Sequence, residues 1–338
     1  METPNLTFSH RQAAHCESGV TSNLLNSAGI ELSEAMSFGI GGGLFFIHIP
    51  WVKVMGLPLT SYRSFPGTIF KKTCRRLKIP FEYQKYSNQT KGEMALDRHL
   101  AAGQAVGVRS NIFWLPYIPQ HFRFQFNGHN LVVIKKNQDD TYQISDPVLE
   151  HVSICSSHAL SKSRYAKGML APKGLLFFPI KKSKPIEPEL NRAIRAGIKE
   201  VTQRMLFSPL PFAGIRGIRY LSQQMATWPK KFAELETQKL QTAQVIRMQE
   251  EIGTGGAGFR YLYAAFLQEA GLKFSEPRLI EAALQMSAVG DLWREFATMA
   301  AQFCKDRLDG GFAQIPPLLL KIADAEKQIY QDLRRHYL

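Results

Sequence analysis

At 338 residues, 45% of them hydrophobic, the chain is long enough to bury a sizeable core and to form two packed domains. No apolar run reaches the roughly 18 residues that span a bilayer, and the opening residues, with Glu2, Pro4, Asn5 and His10, lack the regions of a signal peptide. No transmembrane segment is expected, and the expected location is cytoplasmic. The formal net charge of +14 calls for an anionic partner, but no helix-turn-helix, zinc-finger or RNA-recognition motif accompanies it, so no specific nucleic-acid partner is expected.

Residues 1 to about 12 read as an irregular arm leading to His15-Cys16-Glu17-Ser18-Gly19-Val20. Val20, Leu24 and Ala28 recur every four residues, which predicts a short helix that stops at Gly29 with Cys16 in its first turn. A helix start presents unpaired N–H groups and a partial positive charge that stabilise an anion, so position makes Cys16 a candidate nucleophile. The other cysteines, at 74, 155 and 304, form no CxxC pair, which argues against a zinc ribbon or a disulfide framework. Cys155 and His158 lack the further ligands that tetrahedral zinc needs, so no metal is expected.

A second short helix is expected over 30–36, ending at the cluster Gly39 to Gly43, where Gly41, Gly42 and Gly43 let backbone approach a cleft. The apolar run Leu44-Phe45-Phe46-Ile47 follows these glycines directly, which excludes a dinucleotide-binding turn. Residues 66–77 read as a helix with a strongly basic face, either solvated or a docking surface for an acidic protein, and Cys74 falls on its apolar side. A helix over 91–102 and a buried strand over 105–108 come next. The proline-broken segment 111–119 supplies Trp114 and Tyr117 as wall packing or as a lining for a pocket beside His129.

Alternating Phe122, Phe124 and Phe126 predict a strand running into Gly128-His129. The apolar run 131–134, a polar turn and the strand 141–144 predict a hairpin whose antiparallel register brings His129 near Asp146. That is the geometry of a base and its orienting carboxylate. Leu175 to Ile180 closes this half, and two prolines amid charge mark a linker at 181–188. Domains are therefore expected at 1–180 and 189–338, the second all helical, with segments at 189–206, 211–227, 229–250, 257–271, 276–288, 290–308 and 314–337. Gly253 to Gly258, with Gly255, Gly256 and Arg260, either starts a close-packed helix or lines the cleft and holds a substrate phosphate or the acceptor.

Cys16, His129 and Asp146 follow the chain order of papain-like enzymes. With Leu32-Ser33-Glu34, Phe38 to Phe46, Gly128-His129, Asp146-Pro147 and Gly253 to Tyr263, the sequence resembles the butirosin biosynthesis protein H (BtrH) family, relatives of papain-like cysteine peptidases that act as acyltransferases. The resemblance implies an α+β fold, with a papain-like N-terminal half and a helical C-terminal half. It implies no bound cofactor, a donor carrying a phosphopantetheine thioester on an acidic acyl carrier protein, and a small-molecule or lipid amine as acceptor. A peptidase, amidase or thioesterase using the same triad remains open, as does a basic binding protein without catalysis.

Overall fold

The computed structural model describes residues 8–54, 56–180 and 185–338. The chain opens with α1 (Cys16–Ser27), α2 (Glu34–Ile40) and a hairpin of β1 (Leu44–Val54) and β2 (Leu57–Arg63). It continues through α3 (Ile69–Arg76), β3 (Phe81–Gln84), α4 (Gln89–Ala101), β4 (Val106–Ser110), β5 (His129–Lys136) and β6 (Thr141–Ser145). β7 (Ser153–Ser156), α5 (Ser157–Arg164) and β8 (Leu176–Pro179) complete the region with the larger sheet. Long helices follow: α6 (Glu187–Phe207), α7 (Gly214–Lys231), α8 (Leu235–Glu250), α9 (Arg260–Lys273), α10 (Pro277–Cys304) and α11 (Ile315–His336). The class is α+β, as the sequence implies.

Two compact units result: residues up to Ser37 with 66–190, and 38–65 with 191–338. A single cut at 181–188 does not describe them, because the hairpin joins the helical unit, where Phe46 stacks at 5.9 Å on Trp293 of α10 and Tyr62 meets the same ring edge-on at 5.3 Å. Residues 181–184 of the expected linker lie outside the described residues, and by Glu187 the chain is already helical.

In the first unit an antiparallel sheet runs in the order β3-β8-β4-β5-β6-β7. The β5–β6 hairpin forms as expected, pairing Val133 with Ile144. Helix α1 is buried from Cys16 to Leu25. It ends where Gly29 turns to φ +82° and Ile30 N–H donates to the Leu25 carbonyl at 2.9 Å, the closure that a left-handed residue after a helix permits. The alternation at 122–126 does not make a strand. Residues 120–122 form a 3-10 turn, the Arg123 side chain donates to the Ile118 carbonyl, and Phe126 O accepts from Ile112 N–H, so these groups close a loop.

The helical unit corrects three further expectations. Predicted helices 276–288 and 290–308 are one element, α10, because Gly290 is not a stop: a Cβ there would lie 2.6 Å from the Tyr261 ring. Pro229 sits in the last turn of α7 rather than opening a helix. The loop before α9 does hold an anion, but one from its own chain. Ala257 N–H donates to Glu250 Oε1 at 3.1 Å and Gly256 N–H to Thr254 Oγ1 at 3.1 Å, so the loop at Gly255 and Gly256 is closed on itself.

Arg260, expected in a cleft, is fully buried. Its Nε and Nη2 donate to Glu326 at 2.8 and 3.1 Å, its guanidinium lies 4.9 Å from the Trp293 ring, and Trp293 Nε1 and Tyr330 OH donate to the same carboxylate. Gly41, Gly42 and Gly43 belong to this unit too, and the last two are engaged within it. Gly42 O accepts from Arg204, Gly43 N–H donates to Phe38 O at 2.9 Å, and a Cβ on Gly43 would strike the Phe38 ring. Removing one partner of a buried ion pair strands the other, so Glu326→Ala is expected to destabilise the protein by about 3–5 kcal/mol in chemical denaturation. Joint replacement of Arg260 and Glu326 by Met and Leu should cost far less, since no charge is left unpaired.

Candidate active site

Helix α1 begins at Cys16 because its entry is held from three directions. His15, extended at φ −131°, caps the helix by accepting from Ser18 N–H at 3.3 Å. The half-buried Glu34 carboxylate accepts from Ala14 N–H at 2.9 Å, His15 N–H at 2.8 Å and Ser18 Oγ at 3.0 Å; desolvation is the main cause that raises its pKa, and these bonds oppose the rise. Ala13 N–H donates to Pro147 O at 2.7 Å, tying the approach to α1 to the residue after Asp146.

His129 is the first residue of β5 and pairs with Ser110 of β4. Asp146 follows the last residue of β6, so hairpin register sets the two side by side, and His129 Nε2 donates to Asp146 Oδ2 at 2.7 Å. Tyr117 OH donates to the same oxygen at 3.1 Å, and Val148 N–H to Oδ1 at 3.3 Å. With Nε2 bound to the carboxylate, the ring nitrogen left for Cys16, whose sulfur adds to the rise in the His129 pKa, is Nδ1. Both His129 and Asp146 are buried.

Burial alone would lower the His129 pKa. The Asp146 charge and hydrogen bond, reinforced by Cys16, outweigh it and push the pKa up to about 10, so the ring is held as imidazolium at neutral pH. By contrast, burial pushes the Cys74 and Cys155 thiols up to about 12, which leaves them inert, as the apolar setting of Cys74 suggested. The arrangement is a sulfur at a helix start, a proton carrier beside it and a carboxylate that fixes the carrier. Such a group performs nucleophilic substitution at an acyl carbon.

The N-terminal model of butirosin biosynthesis protein H matches residues 15–147, and a domain of unknown function, DUF4872, matches 158–333. The chain belongs to the butirosin biosynthesis protein H family. No curated protein matches the chain significantly. The family's N-terminal match opens at His15, beside Cys16, and closes one residue past Asp146, so all three candidate catalytic residues fall inside it. Membership points to a biosynthetic enzyme.

Of the residues expected at the site, the first unit brings together Cys16, His129, Asp146 and Tyr117, the last through a bond to the carboxylate rather than as a pocket lining alone. Trp114 is 37% exposed, packs edge-on to Phe113 at 5.1 Å and lies under the Lys162 ammonium at 5.1 Å. Gly41, Gly42, Gly43, Gly255, Gly256 and Arg260 belong to the other unit, where Gly42, Gly43, Gly256 and Arg260 have the internal contacts given above. Sequence reasoning missed Glu34 as the clamp on α1. It also left His10 without context, although the ring bridges Ser145 Oγ at 2.7 Å and Leu149 O at 3.0 Å on either side of Asp146.

A group whose pKa rises on folding, from an ordinary 6.5 to about 10 for His129, adds stability that is complete below pH 6.5 and is lost as pH rises to 10. Calorimetric melts of the family member should therefore show Tm falling across that window. In Asp146→Asn the slope should largely vanish; a slope unchanged by that substitution would place its origin elsewhere.

Proposed function

We propose that the protein is an acyltransferase that moves an acyl or aminoacyl group from the phosphopantetheine thioester of an acidic acyl carrier protein to a small-molecule or lipid amine. The observation that carries this reading is the His129–Asp146 bond at 2.7 Å with Cys16 beside the ring, at the start of a helix. Family membership supports biosynthetic rather than digestive chemistry.

The Cys16 sulfur, its proton already carried by the His129 imidazolium, attacks the thioester carbon. N–H groups at the start of α1 stabilise the oxyanion, and His129 returns the proton to the departing phosphopantetheine thiol, leaving an acyl-cysteine. The incoming amine then attacks the acyl carbon. His129 takes its proton as the amide forms and the Cys16 sulfur leaves, which restores the starting pair. Asp146, fixed by Tyr117 and Val148 N–H, holds the imidazole tautomer that makes both transfers geometrically possible. The net +14 charge suits an acidic carrier protein.

Intact-mass spectrometry of the protein mixed with a panel of acyl-loaded carrier proteins tests this directly. A mass gain equal to the acyl group, absent in Cys16→Ala and discharged by added amines, is the expected result. His129→Ala should slow adduct formation by roughly 10²- to 10⁴-fold, the usual contribution of a positioned acid–base group. Discharge by water at the same rate with or without amine would make the enzyme a hydrolase, and no adduct from any donor would refute the acyl-cysteine.

A further inference from the structure

The first unit holds a buried cation that the triad does not use. Arg109, next to the strand partner of His129 in β4, is only 7% exposed. Its Nε has no hydrogen-bond partner, and its guanidinium makes neither a hydrogen bond nor an ion pair among the described residues. Arg164, similarly buried in the same unit, also leaves Nε unpaired but donates through Nη2 to the Gly92 and Gly174 carbonyls. A largely buried guanidinium without protein acceptors is costly, so a fold that keeps one has a reason to do so.

What surrounds Arg109 indicates the reason. Gly107, two residues earlier and so on the same sheet face, meets Leu24 of α1: a Cβ there would lie 2.8 Å from Leu24 Cδ1. Arg109 therefore shares the face that α1 covers. Its Nη2 packs on Gly67, a position at φ +86° where any Cβ would overlap the guanidinium. Tyr83 OH reaches the Gly67 carbonyl at 3.4 Å, and the partly exposed Lys71 ammonium stands over the Tyr83 ring at 4.6 Å.

Positive charge is in excess here. The Lys71 pKa is lowered by burial first, then by Arg75, Lys85 and Arg109, against one opposing carboxylate, Glu17. That carboxylate is committed elsewhere, accepting from Ile69 N–H at 2.8 Å and Gly67 N–H at 2.9 Å at the start of α3. Glu17 directly follows Cys16, so the same side chain that seats this glycine is joined to the nucleophile.

We propose that Arg109 and Lys71, with the Tyr83 hydroxyl, bind a substrate oxyanion, a phosphate ester or a carboxylate, over Gly67. A planar guanidinium fork with a mobile ammonium beside it matches both oxyanions, which offer two or more acceptor oxygens. Placing that oxyanion on the acyl donor rests on the transfer reading above; binding itself does not.

Melts of the full chain in inorganic phosphate, against sodium chloride of equal ionic strength, are the test. Phosphate should raise Tm by several degrees in the wild type and not in Arg109→Met, which removes the charge while keeping much of the volume. Lys71→Met, at a partly exposed position, should keep the fold and weaken phosphate affinity several-fold. No phosphate-specific shift in the wild type, or equal shifts in all three proteins, overturns the proposal. The source follows from donors with and without a phosphate, and with and without a carboxylate on the acyl chain. A tenfold rise in KM in Arg109→Met confined to one set assigns the oxyanion to that group, and unchanged KM for every donor overturns the substrate role. Should no donor acylate Cys16, the phosphate melts still decide whether the site binds.

Discussion

The hydrogen bond from His129 Nε2 to Asp146 Oδ2 is the constraint on which the first unit depends. It fixes the ring, sets which nitrogen faces sulfur and supplies the field that keeps the imidazole charged while buried. It also ties local structure to chemistry, because its length follows from the register of β5 on β6. A slip of one residue would turn His129 to the opposite face of the sheet and leave Asp146 a buried carboxylate without a cation. Tyr117 and Val148 N–H occupy further acceptor positions of that carboxylate, so the structure that orients His129 also satisfies its neighbour.

A second electrostatic centre, Arg260 with Glu326, organises the helical unit by the same logic and to a different end. There every strong donor and acceptor of the group is matched inside the protein, and aromatic rings of Tyr62 and Trp293 seal it. Matched charges of this kind hold a core in one arrangement and offer nothing to a ligand. Arg109 is the opposite case: largely buried, yet with no acceptor for its guanidinium among the described residues. The contrast separates scaffolding from recognition more clearly than burial does.

Local patterns carried much of the fold. The four-residue recurrence in α1, its stop at Gly29 and the β5–β6 hairpin were legible because each is decided by neighbours within a few residues. The base and its carboxylate were legible for the same reason, being the two ends of one hairpin. What escaped was decided over long separations. Tyr117 meets Asp146 across 29 residues, Arg260 meets Glu326 across 66, and the break expected between 288 and 290 is absent from α10, where Gly290 packs against Tyr261. The glycines before α9 illustrate a subtler failure. Their pattern correctly signals backbone N–H groups that want an anion, but sequence cannot tell that Glu250 supplies it.

The excursion of residues 38–65 into the helical unit bears on how such a chain can be cut or recombined. The family's N-terminal match, 15–147, contains that hairpin, so the boundaries of sequence inheritance and of packing do not coincide. A fragment ending near residue 180 would carry Phe46 and Tyr62 with no Trp293 to cover them, and a strand pair bare on one face is prone to self-association. The two halves are therefore not interchangeable modules. Exchanging one without the other would break a core rather than a linker, which favours their travelling together as one heritable piece.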